Sequence, residues 1–387
     1  MLLKENFSPM YFLSALGAGG LSVSFFMYLM FLVPHADVPM ATYNHIMPVL
    51  SEGSFLSFIS AFSLVFIIAF AYLHFKLLIW NIKQYKAFKE SSGYTKLKSS
   101  NAEVTLLALP LTFAMTINVC FVLGAVFVPN LWSVVEYLFP FALLGFGVVG
   151  YFALKIFLEY FSRLISGGEF DCDSNNNLSQ MISIFAFSMI GVGFAAPGAM
   201  SHHIAINAIG IFGAILFTSV AFLLLVLKFV IGFRNMIKDG IGKEASPSLW
   251  IMIPILTLIG ITLIRIQFGL EHNFEKVADK SSLFTLTSIV LSLQIIFGAL
   301  GFMVMKRIGY FEEFIHTNDK KSPVSFALIC PGVAFFVFGM FFINMGLVFN
   351  GIVDKYSVVY YIFMIPFIWV QFKTVAYFFK LKSKFAL

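Results

Sequence analysis

Few residues in this chain can do chemistry, and they are scattered through apolar sequence. Arg265 stands inside an apolar run, two residues before Gln267. A cation at membrane depth is costly and marks function by default. Arg265 either draws anions toward a pathway or reaches out to the interface on its long stem. In the stretch Pro110-Leu-Thr112-Phe-Ala-Met-Thr116, Thr112 and Thr116 lie four apart on one helix face, and Pro110 lies near that stripe. Such hydroxyls line a polar path or bond across helices; Gln294 and Asn344 read as packing hydrogen bonds. Of three cysteines, Cys120 and Cys330 lie in apolar runs and Cys172 in the acidic loop Glu169-Phe-Asp171-Cys172-Asp173. No CxxC pair exists, so neither a disulfide framework nor a structural zinc site is indicated. Cys120 and Cys330 read either as pore thiols or as small apolar residues. The acidic loop lacks the glycine and spaced oxygens of an EF-hand and reads as solvated.

His35 and His45 share a loop with Asp37, His74 is alone, and His202-His203 falls in a short turn. A bis-histidine haem needs partners facing each other at one depth, and this spacing does not provide them. Glu136 reads as solvated, and Lys155 with Glu159 as an interfacial ion pair. No phosphate-binding loop, dinucleotide fingerprint, nucleophile elbow or zinc-protease motif argues for an enzyme. No cofactor or metal is expected.

The elements that carry these residues are written in the composition. Residues are 60% hydrophobic and 11% charged, less than half the charge of a soluble domain, which is about 25%. The solvent must be largely lipid. Ten apolar runs fall at roughly 10–33, 55–80, 104–128, 132–160, 180–200, 204–232, 248–268, 282–306, 324–349 and 356–380, each near the length of about 20 residues that crosses the hydrocarbon core. The expected fold is an all-α integral membrane protein, one transmembrane domain over 1–387. Links such as Pro129-Asn130-Leu131 and Ser201-His202-His203 are so short that the runs read as five hairpins. Met1-Leu-Leu-Lys-Glu-Asn does not read as a cleaved signal peptide.

Net charge is +6, but the basic residues sit between spans rather than in a domain, so no nucleic-acid partner is expected. Of 25 Lys and Arg residues, 19 fall on one side of an alternating ten-span layout. Only Lys276, Lys280 and Lys355 fall on the other, while Lys76, Lys155 and Arg265 lie within spans. Positive charge is retained in the cytoplasm, so both termini are expected there.

The odd-numbered runs share a pattern of breakers. The first opens Ser8-Pro9 and carries Gly17, Gly19 and Gly20. The seventh opens Ser246-Pro247 with a second proline at Pro254, and the ninth opens Ser322-Pro323 with a second at Pro331. The third has Pro110 at similar depth; the fifth has Gly191, Gly193 and Pro197. Among the even runs only the fourth and tenth hold a proline, Pro140 and Pro366. A proline within a helix removes a bond and clashes with the preceding turn, and backbone freed in lipid is tolerated mainly against protein or a watery cavity. The expectation is an inner ring of five odd helices around a central pore, with five even helices outside. Glycine and proline also serve kinks and close packing in membrane helices, which is the plainer alternative.

Ten spans, inward termini, five hairpins and broken odd helices resemble the tellurite-resistance/dicarboxylate transporter superfamily. It includes bacterial TehA proteins, yeast malate and sulfite carriers and plant slow anion channels. The local match is Leu328-Ile329-Cys330-Pro331-Gly332, similar to a family segment whose phenylalanine plugs the pore. Cys330 stands where that phenylalanine would be, leaving Phe326, Phe335 or Phe336 as replacements. The proline-spaced stretch from Pro247 to Pro254 also looks like the family's. The resemblance implies a trimer in a bacterial inner membrane, each subunit passing small anions. Two other functions stay open: a quinone-handling membrane subunit of a redox complex, and a sulfur-compound transporter using an intramembrane cysteine.

Overall fold

In lipid a long apolar segment must close its backbone hydrogen bonds internally, and each run does so as a helix. The computed structural model describes residues 2–168, 176–274, 279–317 and 320–387. The acidic loop with Cys172, and Lys276, lie outside the described residues. Among the described residues ten helices are long and apolar enough to cross a membrane: α1 (Pro9–Leu32), α2 (Phe55–Lys89), α3 (Asn101–Phe127), α4 (Leu131–Gly167), α5 (Ser179–Met200), α6 (Ile204–Asp239), α7 (Ser246–Asn273), α8 (Lys280–Arg307), α9 (Pro323–Val348) and α10 (Val358–Phe385). No strand occurs among the described residues. Shorter helices, Tyr43–Ser51 and Ser92–Lys98, follow α1 and α2.

Three helices outrun their apolar sequence. α2, α4 and α6 continue to Lys89, Gly167 and Asp239, because hydropathy marks where the lipid ends and not where helical bonding ends. Arg234 and Lys238, beyond the apolar run 204–232, therefore lie inside α6.

The odd helices begin alike. Each opens with a 3-10 segment: Pro9–Tyr11, Asn101–Leu107, Ser179–Met181, Ser246–Ile251 and Pro323–Leu328. Ser8, Ser100 and Ser322 cap three of them, each hydroxyl accepting from the backbone N–H two residues on at 3.3 Å. The α-helical parts of α3, α7 and α9 then start at Ala108, Met252 and Ile329. Pro110, Pro254 and Pro331 are each the third residue of that α-helical part. The first four N–H groups of an α-helix have no intrahelical partner, so a proline there costs little bonding. The expectation of a break in mid-helix is corrected for these three: they mark a junction between 3-10 and α geometry. Pro197 does lie inside its helix, in the last turn of α5.

Burial separates the two sets of helices. In the most apolar stretch of each helix, 61 to 94% of residues are buried in the odd helices and 22 to 39% in the even ones. α1 packs on α3 and α9, α3 on α5, α5 on α7, and α7 on α9. The 3-10 segments touch in the same order.

Most even helices also send a buried polar side chain toward odd neighbours. His74 of α2 donates from Nδ1 to the Ala15 carbonyl at 2.8 Å and holds Nε2 2.9 Å from the Thr116 hydroxyl. Asn207 of α6 donates to the Gly198 and Gly269 carbonyls at 2.5 and 3.1 Å. Gln294 of α8 donates to the Thr257 hydroxyl at 2.6 Å. Gln371 of α10 accepts from the Tyr28 hydroxyl at 2.6 Å and donates to that of Ser24 at 2.8 Å. Such bonds stabilise helix association in membranes by about 0.6 kcal/mol each. Asn344 joins α9 to α10, accepting from the Tyr360 hydroxyl at 3.0 Å.

Two expectations about charges are corrected. Glu159 lies 3.5 Å from Lys98 rather than pairing with Lys155. Glu136 is not simply solvated: it accepts from the Ser201 hydroxyl and the His202 backbone N–H, both at 2.7 Å. In sequence it looks free because its partners lie across the helix pair. At the other end, buried Glu103 is held by Lys98 at 2.5 Å and Arg163 at 2.9 Å.

Candidate functional site

A cavity of about 670 Å3 occupies the space between the odd helices. Its wall is drawn from α1, α3, α5, α7 and α9, with Pro39 and Met40 from the loop after α1; no even helix contributes. The contributing residues run from about the first α-helical turns of the odd helices toward their C-termini, as from Leu16 to Met30 on α1 and from Cys330 to Met345 on α9. Toward the N-termini lies a second pocket of about 30 Å3, lined by Met10, Leu13, Ile251 and Pro331 among others. Phe185, Pro254 and Cys330 line both pockets. They lie between a wide chamber and a much smaller space.

The local sequence explains this neck. Pro254 and Cys330 sit in the first α-helical turn of α7 and α9, directly after the 3-10 segments, and Phe185 is the fourth residue of the α-helical part of α5. On α1, Gly17 lets the backbone approach α9: a Cβ there would lie 2.9 Å from Ile329 Cγ2. In α9, residues Phe342–Val348 widen into a π-helix that carries Met345 into the wall, a distortion frequent at functional sites.

The wall is mostly apolar and rich in sulfur. Seven methionines line it, among them Met30, Met115, Met189, Met200 and Met345. Asn118, Thr257, Arg265, Glu271 and His272 supply the polar side chains. Asn118 donates to the Met189 sulfur at 3.5 Å. Thr257 donates to the Ile253 and Ala334 carbonyls at 3.0 and 3.1 Å. Glu271 accepts from Gln267 at 3.0 Å. Near the mouth, His272 and His202 share one hydrogen bond of 2.8 Å between Nε2 and Nδ1, one ring donating and the other accepting. Arg265 does not reach out to the interface. Its Nη1 donates to the Val192 carbonyl of α5 at 2.8 Å, and the residue lines the chamber. Among the described residues no carboxylate lies within ion-pair distance of it.

The residues expected from sequence thus divide. Gly17, Pro254, Arg265 and Cys330 line the chamber, and Pro331 lines the small pocket. Pro110, Thr112, Thr116, Pro197, Phe326 and Phe335 line neither pocket. Thr112 donates to the Ala108 and Phe12 carbonyls at 2.7 and 3.3 Å, and Thr116 meets His74, so the hydroxyl stripe serves helix packing. Phe326 is fully buried with its ring 5.2 Å from that of Phe385, and the Phe335 ring lies tilted against that of Phe367 of α10, 5.0 Å between centroids. Phe336 is buried against Tyr28. None of the three proposed plugs stands at the neck; the aromatic there is Phe185. Nothing in the sequence distinguishes it among 50 phenylalanines. Cys120 is exposed and outside the chamber. No group of three His, Cys, Asp or Glu side chains suited to a metal ion occurs among the described residues.

No family model matches the chain, and neither a curated protein nor a solved structure matches it.

Proposed function

We propose that this protein is a channel or transporter that moves small anions between its five odd helices. In this reading those helices form an inner ring, each paired as a hairpin with an even helix on the lipid side. The observation that carries it is the chamber itself: every helix in its wall is odd-numbered, and among the described residues its one cation without a carboxylate partner is Arg265. The closed sequence of contacts between odd helices and their deeper burial also support it.

The chemistry of passage follows from the wall. An anion entering the wide end meets Arg265, whose free N–H groups are the strongest donors there. Farther in, Phe185, Pro254 and Cys330 close the way. Beyond them lie the N-termini of the five odd helices, whose aligned dipoles favour negative charge. Phe185 is the gate, in place of the plugs named above. The layout keeps the resemblance to the tellurite-resistance/dicarboxylate transporter superfamily, with both termini in the cytoplasm of a bacterium and three subunits per assembly. The chamber then opens away from the cytoplasm.

Anion flux in reconstituted vesicles tests this. Wild-type protein should pass a small anion, nitrate or a short alkanesulfonate, above empty vesicles. Phe185→Ala should raise the rate several-fold, and Arg265→Ala should lower it about tenfold, the effect of losing roughly 1.4 kcal/mol of charge-assisted bonding. Correctly folded protein that passes no anion, with Phe185→Ala equally silent, would exclude the pathway.

A further inference from the structure

The charge in the chamber is concentrated at one place. Among the described residues Arg265 offers the wall's only cation, and its single protein bond there goes to a carbonyl, leaving most of its donors unused. The other polar side chains are already engaged: Asn118 with a methionine sulfur, Thr257 with two carbonyls, Glu271 with Gln267 and His272 with His202. A bare inorganic anion stripped of water here would find one cation and no surrounding shell of donors, and burying a charge without such a shell is expensive. The remaining surface is thioether, phenyl and branched alkyl. Methionine is unbranched and adaptable, so it moulds to apolar bodies of varied shape. About 670 Å3 also lies within the range of roughly 300–1,000 Å3 that holds small organic molecules, and it far exceeds one halide ion.

We propose that the chamber binds amphiphilic monoanions, with the acidic head on Arg265 and an apolar body against the methionine wall. This names the substrate class of the anion pathway proposed above and rests on that reading. Selection then has two parts. The head must carry a charge, and affinity must grow with the length of the body until the chamber is filled.

The test uses the full-length chain in lipid nanodiscs and calorimetry with straight-chain alkanesulfonates, from methanesulfonate to octanesulfonate. Their charge is permanent, so no neutral acid form confuses the titration, and empty nanodiscs correct for partitioning into lipid. Affinity should rise roughly fourfold per methylene, the transfer gain of one CH2 group. Octanol, equal in length and uncharged, should bind at least tenfold more weakly than octanesulfonate. Arg265→Gln should remove that difference, and the double variant Met30→Gln, Met345→Gln should flatten the dependence on length. The wild-type series needs no variant to fold. A flat series, or octanol binding as tightly as octanesulfonate, overturns the inference. If the series is flat while nitrate still crosses vesicles, the amphiphile class fails and the anion path stands. A rising series with no flux of any sulfonate supports the binding site and removes transport.

Discussion

At the scale of single residues, the clearest pH response lies in the loop after α1, which supplies Pro39 and Met40 to the chamber rim. His45 Nε2 lies 2.9 Å from the Asp37 carboxylate, and His35 Nδ1 lies 2.6 Å from the Val33 carbonyl. The hydrogen bond from His45 holds the Asp37 carboxyl below its ordinary value, and burial holds the His35 imidazole below its own. Both groups are depressed on folding, so each contributes stability at higher pH that is lost as pH falls. For His35 the loss starts below the free imidazole value of about 6.5, and for Asp37 below about 3.9. Amide exchange over 34–46, corrected for its intrinsic pH dependence, should therefore quicken from pH 7.5 to 5.5. His35→Asn should abolish the change; an unaltered response in that variant would assign it elsewhere. Arg265 is legible in sequence because a lone cation in an apolar run has few roles. Phe185 is not legible, because α5 is apolar on every side and no periodicity tells the chamber face from the packed one. The same lack misleads at Thr112, whose hydroxyl reaches the Phe12 carbonyl of α1, and at Thr116, whose hydroxyl meets the His74 ring of α2, on helices the sequence cannot show to be near.

At the scale of elements, proline position decides cost. Pro110, Pro254 and Pro331 follow 3-10 segments and occupy the first α-helical turn. Replacing any one by alanine should change stability by less than about 1 kcal/mol, chiefly through a looser unfolded chain. A proline placed one turn deeper, as in Ile259→Pro, should cost about 3 kcal/mol or more. Chemical unfolding in mixed micelles compares them, and equal penalties at both depths would show that the junction offers no tolerance. The spans themselves were open to reading, since twenty apolar residues in succession admit little else. The 3-10 openings were hidden: Ser-Pro marks a helix start without saying which helix forms, and Asn101–Leu107 has no proline at all.

For the molecule as a whole, the division into a wide chamber, a neck and a small pocket predicts one-sided access. Cys330 lines the chamber at the neck. With Cys120 and Cys172 replaced by serine, a small charged thiosulfonate should label Cys330 from the chamber side and leave it unmodified from the other. Phe185→Ala should admit the reagent from both sides; equal labelling in the parent protein would mean the neck is not a seal. The lining itself has a further effect. Thioether sulfur is readily oxidised to sulfoxide, which turns an apolar side chain into a polar one. Peroxide or hypochlorite entering at the mouth would reach Met30, Met200 and Met345 first. The wall would become wetter from the rim inward, so the molecule would alter its own preference among solutes under oxidative stress, and a sulfoxide reductase would restore it.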